Sequence, residues 1–133
     1  MIDRLNPEGM HLPPGYHQVT VADAAWTVYL AGQCPLDPDG TLVGPGDLLA
    51  QVDQVVLNIG TALASAGAGP ADVVRTVVYV ASADREDLAA VWARLGVSTV
   101  AAAFTSASTL LGVSQLGFPG QLVEVDVTAA LTR

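Results

Sequence analysis

The 133 residues contain no lysine. Every positive side chain is an arginine, at Arg4, Arg75, Arg85, Arg94 or Arg133, so no lysine Schiff base can form with a carbonyl substrate or with pyridoxal phosphate. A P-loop, which needs its lysine, is excluded for the same reason. Cysteine occurs once, at Cys34, and histidine twice, at His11 and His17. One thiol cannot close a disulfide within the chain and fits a reducing compartment. Two separated histidines without further ligands at metal-binding spacing argue against zinc.

Thirteen acidic residues against five basic ones leave a net charge of -8, a field that repels phosphate backbones, so nucleic acid is not an expected partner. The composition is 51% hydrophobic, yet polar and turn-forming positions interrupt each apolar run before it reaches the roughly 20 residues of a membrane span. No membrane association is expected. The opening "MIDRLNPEGMHLPPGY" lacks the positive region and apolar stretch of a secretory signal, which makes the cytoplasm the expected location.

What is present reads as one α+β domain over residues 1–133. Residues 16–21 and 26–31 are β-prone runs separated by "ADAA" and predict a hairpin. In "DLLAQVDQVVLNIGTALASAG" the spacing of Leu49, Val52, Val56, Ile59 and Leu63 predicts a helix, capped by Asp47 and ended by Gly67. "VVRTVVYVA", residues 73–81, predicts a strand buried on both faces. A second helix follows, with Asp84 as cap and Leu88, Val91, Trp92 and Leu95 on one face. Residues 106–114 and 121–131 predict the last strands, joined by a turn at "QLGFPGQ".

The order is strand, strand, helix, strand, helix, strand, strand, which predicts a mixed β-sheet with two helices packed on one face. Two helices cover one side only. An apolar second side would not be left in water, at roughly 25 cal/mol per Å² of apolar surface, so a homo-oligomer with inward-turned sheet faces is expected.

Several motifs fail on inspection. "DPDGT", counted as a calcium loop from Asp37, puts Leu42 where glycine is needed and Leu48 where the bidentate glutamate is needed; it is a turn. "GPGDLL" lacks the third glycine of a dinucleotide fingerprint. In "QLVEVDVTA", however, Val123, Val125 and Val127 alternate with Glu124 and Asp126, which places two carboxylates on one strand face about 7 Å apart. They fit either a solvated rim or an acid/base group at a subunit cleft. The uncharged hydroxyl run "TSAST", containing Thr105, Ser106, Ser108 and Thr109, decides nothing alone, because such side chains commonly satisfy loop backbone.

"NPEG" with "PPGY", then "VYLAGQCPLDPDGTLVGPGD", "DVVRTVVYV" and the terminal "LVEVDVTAAL" together resemble the Rid family, also called YjgF/YER057c/UK114. The resemblance implies a chorismate-mutase-like fold, a homotrimer, and a ligand cleft at each of three subunit interfaces. It implies hydrolysis of 2-imino or 2-enamino acids without metal or organic cofactor. In that family an arginine of a P-A-R-[ST] motif holds the substrate carboxylate, and a glutamate on the last strand handles water or protons. The resemblance puts Ser108 in the arginine's place and Glu124 in the glutamate's. It further assigns substrate contacts to Tyr16, Ala31, Gly32, Gln33 and Thr109, with Trp92 where asparagine is usual and Leu110 where cysteine is common.

A serine replaces at most one neutral hydrogen bond of a bidentate arginine clamp, and even 3 kcal/mol lost is on the order of a hundredfold. The expected function is therefore a Rid-like enzyme acting on an imine, enamine or enol-type small molecule, by hydrolysis or by rearrangement or cyclisation, with weak or no standard 2-imino acid deamination. The alternative is a non-catalytic trimer that binds a metabolite or a protein. Ribonuclease activity, also claimed within the family, fits the charge least well.

Overall fold

A computed structural model of the chain describes residues 1–132. The chain runs β1 (Ile2–Leu5), β2 (Val19–Ala22), β3 (Trp26–Tyr29), α1 (Leu48–Ser65), β4 (Val73–Val80), α2 (Arg85–Gly96), β5 (Ala107–Gly112) and β6 (Val123–Leu131), with short 3-10 turns before β4 and β5. A four-stranded sheet has the order β3-β6-β4-β5, in which β5 runs parallel to β4 and the other pairs are antiparallel. The expected mixed sheet with two helices is present.

Residues 16–21 and 26–31 do not form the expected hairpin. β2 pairs with β1 in a separate two-stranded sheet, while β3 pairs with β6. The partner β1 is only four residues long, too short for strand alternation to reveal it. The last two strands, observed at 107–112 and 123–131, are not neighbours either, because β4 lies between them.

α1 begins where Asp47 accepts a hydrogen bond from the Ala50 N–H at 3.1 Å, and Gly67 follows its end at φ +74°, as a left-handed exit requires. Its apolar face is Val52, Val55, Val56, Ile59 and Leu63; the expected member Leu49 is exposed. The face is rotated because Gln51 takes a core position, wholly buried. Its amide donates to the carbonyls of Gly44 and Gly120, both at 3.1 Å, and accepts from the Leu122 N–H at 2.8 Å. One side chain thus ties the loop before α1 to the loop before β6, satisfying buried polar groups that would otherwise be costly.

By length and mean hydropathy, 1.2 over 18 residues, α1 could cross a membrane. Its buried stripe packs on the sheet as the core helix of the domain. α2 starts at Asp84, which accepts from Glu86 N–H, and buries Val91 and Leu95, with Leu88 and Trp92 half-buried against the core.

Toward the helices the sheet presents Val73, Thr76, Val78 and Val80 of β4 and Val123, Val125, Val127 and Ala129 of β6, all buried. The opposite face departs from expectation. Val77, Tyr79 and Leu111 share it with Arg75, Glu124, Asp126, Thr128 and Thr109, so it is mixed rather than apolar. β4 is accordingly buried on one face only within a single chain.

Candidate functional site

The first half of the site lies on the helix side of β5, the edge strand. "PPGY" bends at Gly15, φ +97°, and the turn is held by α2: the Trp92 indole N–H donates to the Pro14 carbonyl at 3.0 Å. The indole stands edge-to-face against Tyr16, 6.1 Å between ring centres, and against Phe104, 6.0 Å, a favoured aromatic arrangement. Between these elements is a cavity of about 380 Å³ lined by Pro14, Tyr16, Trp92, Ser108, Thr109 and Leu110. Five of the residues singled out from sequence therefore meet in one place. Among the described residues, no arginine, lysine or carboxylate lines it.

Trp92 serves both readings open to it, as anchor of the N-terminal loop and as cavity wall. The Ser108 hydroxyl is already engaged. It accepts from the hydroxyl of Thr76 at 2.6 Å and donates to the Ser106 carbonyl at 3.0 Å. Tyr16 reaches His11 Nε2 at 3.5 Å.

The second half lies on the opposite face. Leu30 N–H and Gln33 N–H donate to the carbonyls of Val127 and Val125 at 3.1 and 2.8 Å, so the backbone from Ala31 to Gln33 follows β6 past the end of β3. Gly32 sits under Glu124: a Cβ there would stand 2.2 Å from Glu124 Oε2 and 3.0 Å from Asp126 Oδ1. Only glycine allows the carboxylate to lie against the backbone. Glu124 Oε1 accepts from the amide of Gln121 at 3.1 Å and from the Cys34 thiol at 3.2 Å, and the Tyr79 hydroxyl donates to Asp126 Oδ2 at 3.2 Å.

Burial, then the neighbouring Glu124, pushes the Cys34 thiol up to about 11. It stays protonated at neutral pH and is not an activated nucleophile. Burial and the adjacent Asp126 likewise raise the Tyr79 phenol. No set of three or more potential metal ligands occurs among the described residues.

Sheet register keeps the halves apart. Ser108 stands beside Thr76, which faces Val127 on the helix side, whereas Glu124 stands beside Tyr79 on the other. Cross-strand partners share a face and neighbours along a strand do not. Ser108 and Glu124 of one chain therefore do not share a cavity. Arg75, on the Glu124 side, donates to the Thr109 hydroxyl at 2.8 Å.

The family model described as Endoribonuclease L-PSP matches residues 11–131. The chain belongs to this family, the Rid (YjgF) family. Its fold is that of YyfB from Yersinia pestis, a protein of the conserved Rid family, with 37% identity, 98% of each chain covered and a TM-score of 0.88. The Rid chain is also 36% identical to a RutC family protein of Synechocystis over 87% of its own length and 85% of the relative's. A 2-iminobutanoate/2-iminopropanoate deaminase of Capra hircus is 34% identical over 57% of this chain and 53% of that protein.

Sequence reasoning missed three positioning side chains of this Rid protein. Gln121, 3% exposed, orients Glu124; its signal is a polar residue wedged between the turn glycine, Gly120, and an apolar strand. Thr76, wholly buried, orients Ser108, and a lone threonine in "VVRTVVYV" is the visible trace. Nothing local in the sequence marks His11 as the partner of Tyr16.

Proposed function

We propose that this Rid protein is a cofactor-free enzyme acting on an imine, enamine or enol-type small molecule, in clefts formed where copies of the chain meet in a homotrimer. The observation that carries the reading is the Glu124 carboxylate, fixed by Gln121 and Cys34 over the backbone of Gly32 on a sheet face that no helix covers. A carboxylate so constrained is suited to accept a proton or to orient a water. The cavity of Tyr16, Trp92, Ser108, Thr109 and Leu110 would supply the substrate's binding walls from a neighbouring copy.

Standard 2-imino acid deamination is proposed to be weak. Among the described residues no guanidinium lines the cavity to neutralise a substrate carboxylate, and a net charge of -8 adds long-range repulsion. The same charge disfavours ribonuclease activity.

Glu124→Gln tests the role of the carboxylate, since it keeps shape and removes the titrating group. On a substrate found by screening imines and enamines, turnover should fall roughly 10²- to 10⁴-fold with the fold unchanged. Asp126→Asn should change it little. Equal losses in both variants would defeat the assignment, unchanged turnover in Glu124→Gln would give the acid/base role to a different group, and no turnover of any imine or enamine by wild type would favour a non-catalytic binding protein.

A further inference from the structure

The polarity of the cavity's hydroxyls follows from what each touches. The chain of hydrogen bonds runs from Thr76 through Ser108 to the Ser106 carbonyl. A carbonyl can only accept, so the single proton of Ser108 is committed to Ser106 and the proton of Thr76 to Ser108. Thr76 is wholly buried, which leaves its hydroxyl no water to turn to. What Ser108 retains for a ligand is a lone pair.

The Tyr16 hydroxyl stands 3.5 Å from His11 Nε2, a nitrogen that also lies 3.4 Å from the Gln18 side-chain nitrogen. Thr109 lines the cavity at its backbone position, while its hydroxyl points to the opposite face of the sheet and accepts from Arg75. Ser108 therefore sets the polarity of this wall.

We infer that the cavity at Ser108 takes a substrate group that donates a hydrogen bond and carries no negative charge, such as a carboxamide, in place of a carboxylate. This deepens the proposed function and rests on its choice of cavity. A carboxylate has only acceptors to offer: Ser108 could donate to it only by releasing the Ser106 carbonyl. A carboxamide NH₂ meets the Ser108 lone pair with the internal network intact.

The test is a matched pair of probes, 2-oxobutanamide and 2-oxobutanoate, titrated calorimetrically into the intact full-length protein. The amide should bind at least roughly tenfold more tightly. Ser108→Ala alone strands the buried Thr76 hydroxyl, so the informative variant is Thr76→Val/Ser108→Ala, which removes both partners together. There the preference should collapse to within about threefold.

Equal or tighter binding of the carboxylate by wild type overturns the inference, as does failure of the amide to bind at millimolar concentration. So does an undiminished amide preference in the double variant, which would assign the selectivity to the overall negative charge. Binding is read without turnover, so the two ideas separate. Amide preference with no catalysis on any neutral imine sinks only the enzymatic reading, and catalysis with carboxylate preference sinks only this one.

Discussion

The Cys34 thiol donates to Glu124 Oε1 across 3.2 Å, and the Gln121 amide reaches the same oxygen at 3.1 Å. The thiol is thereby a fixed donor to a carboxylate, and its proton is held by burial and by the charge it faces.

Alkylation of Cys34 should consequently be slow at neutral pH and rise to half its maximal rate near the raised value of about 11. The folded chain holds this proton more tightly than the unfolded chain, whose thiol titrates near 9.0. The site's contribution to stability is thus complete below pH 9 and is lost as pH climbs through 11. Glu124→Gln should lower the midpoint, because the glutamate's hydrogen bond and charge both raise it. Iodoacetamide labelling followed by mass spectrometry across pH reads both effects, and a wild-type midpoint at the ordinary thiol value would contradict the geometry.

Gly32→Ala should damage function more than stability. The new Cβ would fall 2.2 Å from Glu124 Oε2, the end of a flexible side chain, so the carboxylate swings away while the backbone stays. Turnover should drop roughly 10²-fold, with a folding penalty on the order of 1 kcal/mol. Kinetics paired with urea denaturation separates the two, and retained turnover would show that Glu124 need not lie where it does.

Gln51→Leu should act in the opposite sense. It abandons two carbonyls and one N–H in the loops around Gly44, Gly120 and Leu122, a loss of about 2 to 3 kcal/mol. Urea unfolding midpoints measure it. A loss near zero would mean that water replaces the amide.

Ser108→Arg should raise activity toward 2-imino acids above that of wild type, by giving the cavity a guanidinium for the substrate carboxylate. The readout is deamination of 2-aminoacrylate. A fully active wild type would show that another arginine does the clamping.

These outcomes depend on features that the sequence displayed unevenly. The alternation of Val123, Val125 and Val127 with Glu124 and Asp126 was legible because burial on one face imposes a period of two. α1 was legible from its spacing and its Asp47 cap, but not the rotation of its face, since a wholly buried glutamine looks like a surface residue in a pattern of apolar positions. The partner of β2 was hidden because pairing is a long-range choice, and here a four-residue strand at the start of the chain outcompeted a hairpin. The five cavity residues were reached through family resemblance. The side chains that aim them, Thr76 and Gln121, act across strands and turns and leave only a polar letter in an apolar run.

The placement of Ser108 and Glu124 on opposite faces of one sheet has a genetic consequence. If each cleft draws one wall from one copy and its carboxylate from the next, then lesions in the two walls belong to different complementation groups within a single gene. A chain carrying Glu124→Gln and a chain whose cavity is filled by Leu110→Trp would each be inactive alone. Unfolded and refolded together in equal amounts, they would assemble mixed rings in which about a quarter of the clefts combine two unaltered walls, and activity would return from two dead alleles.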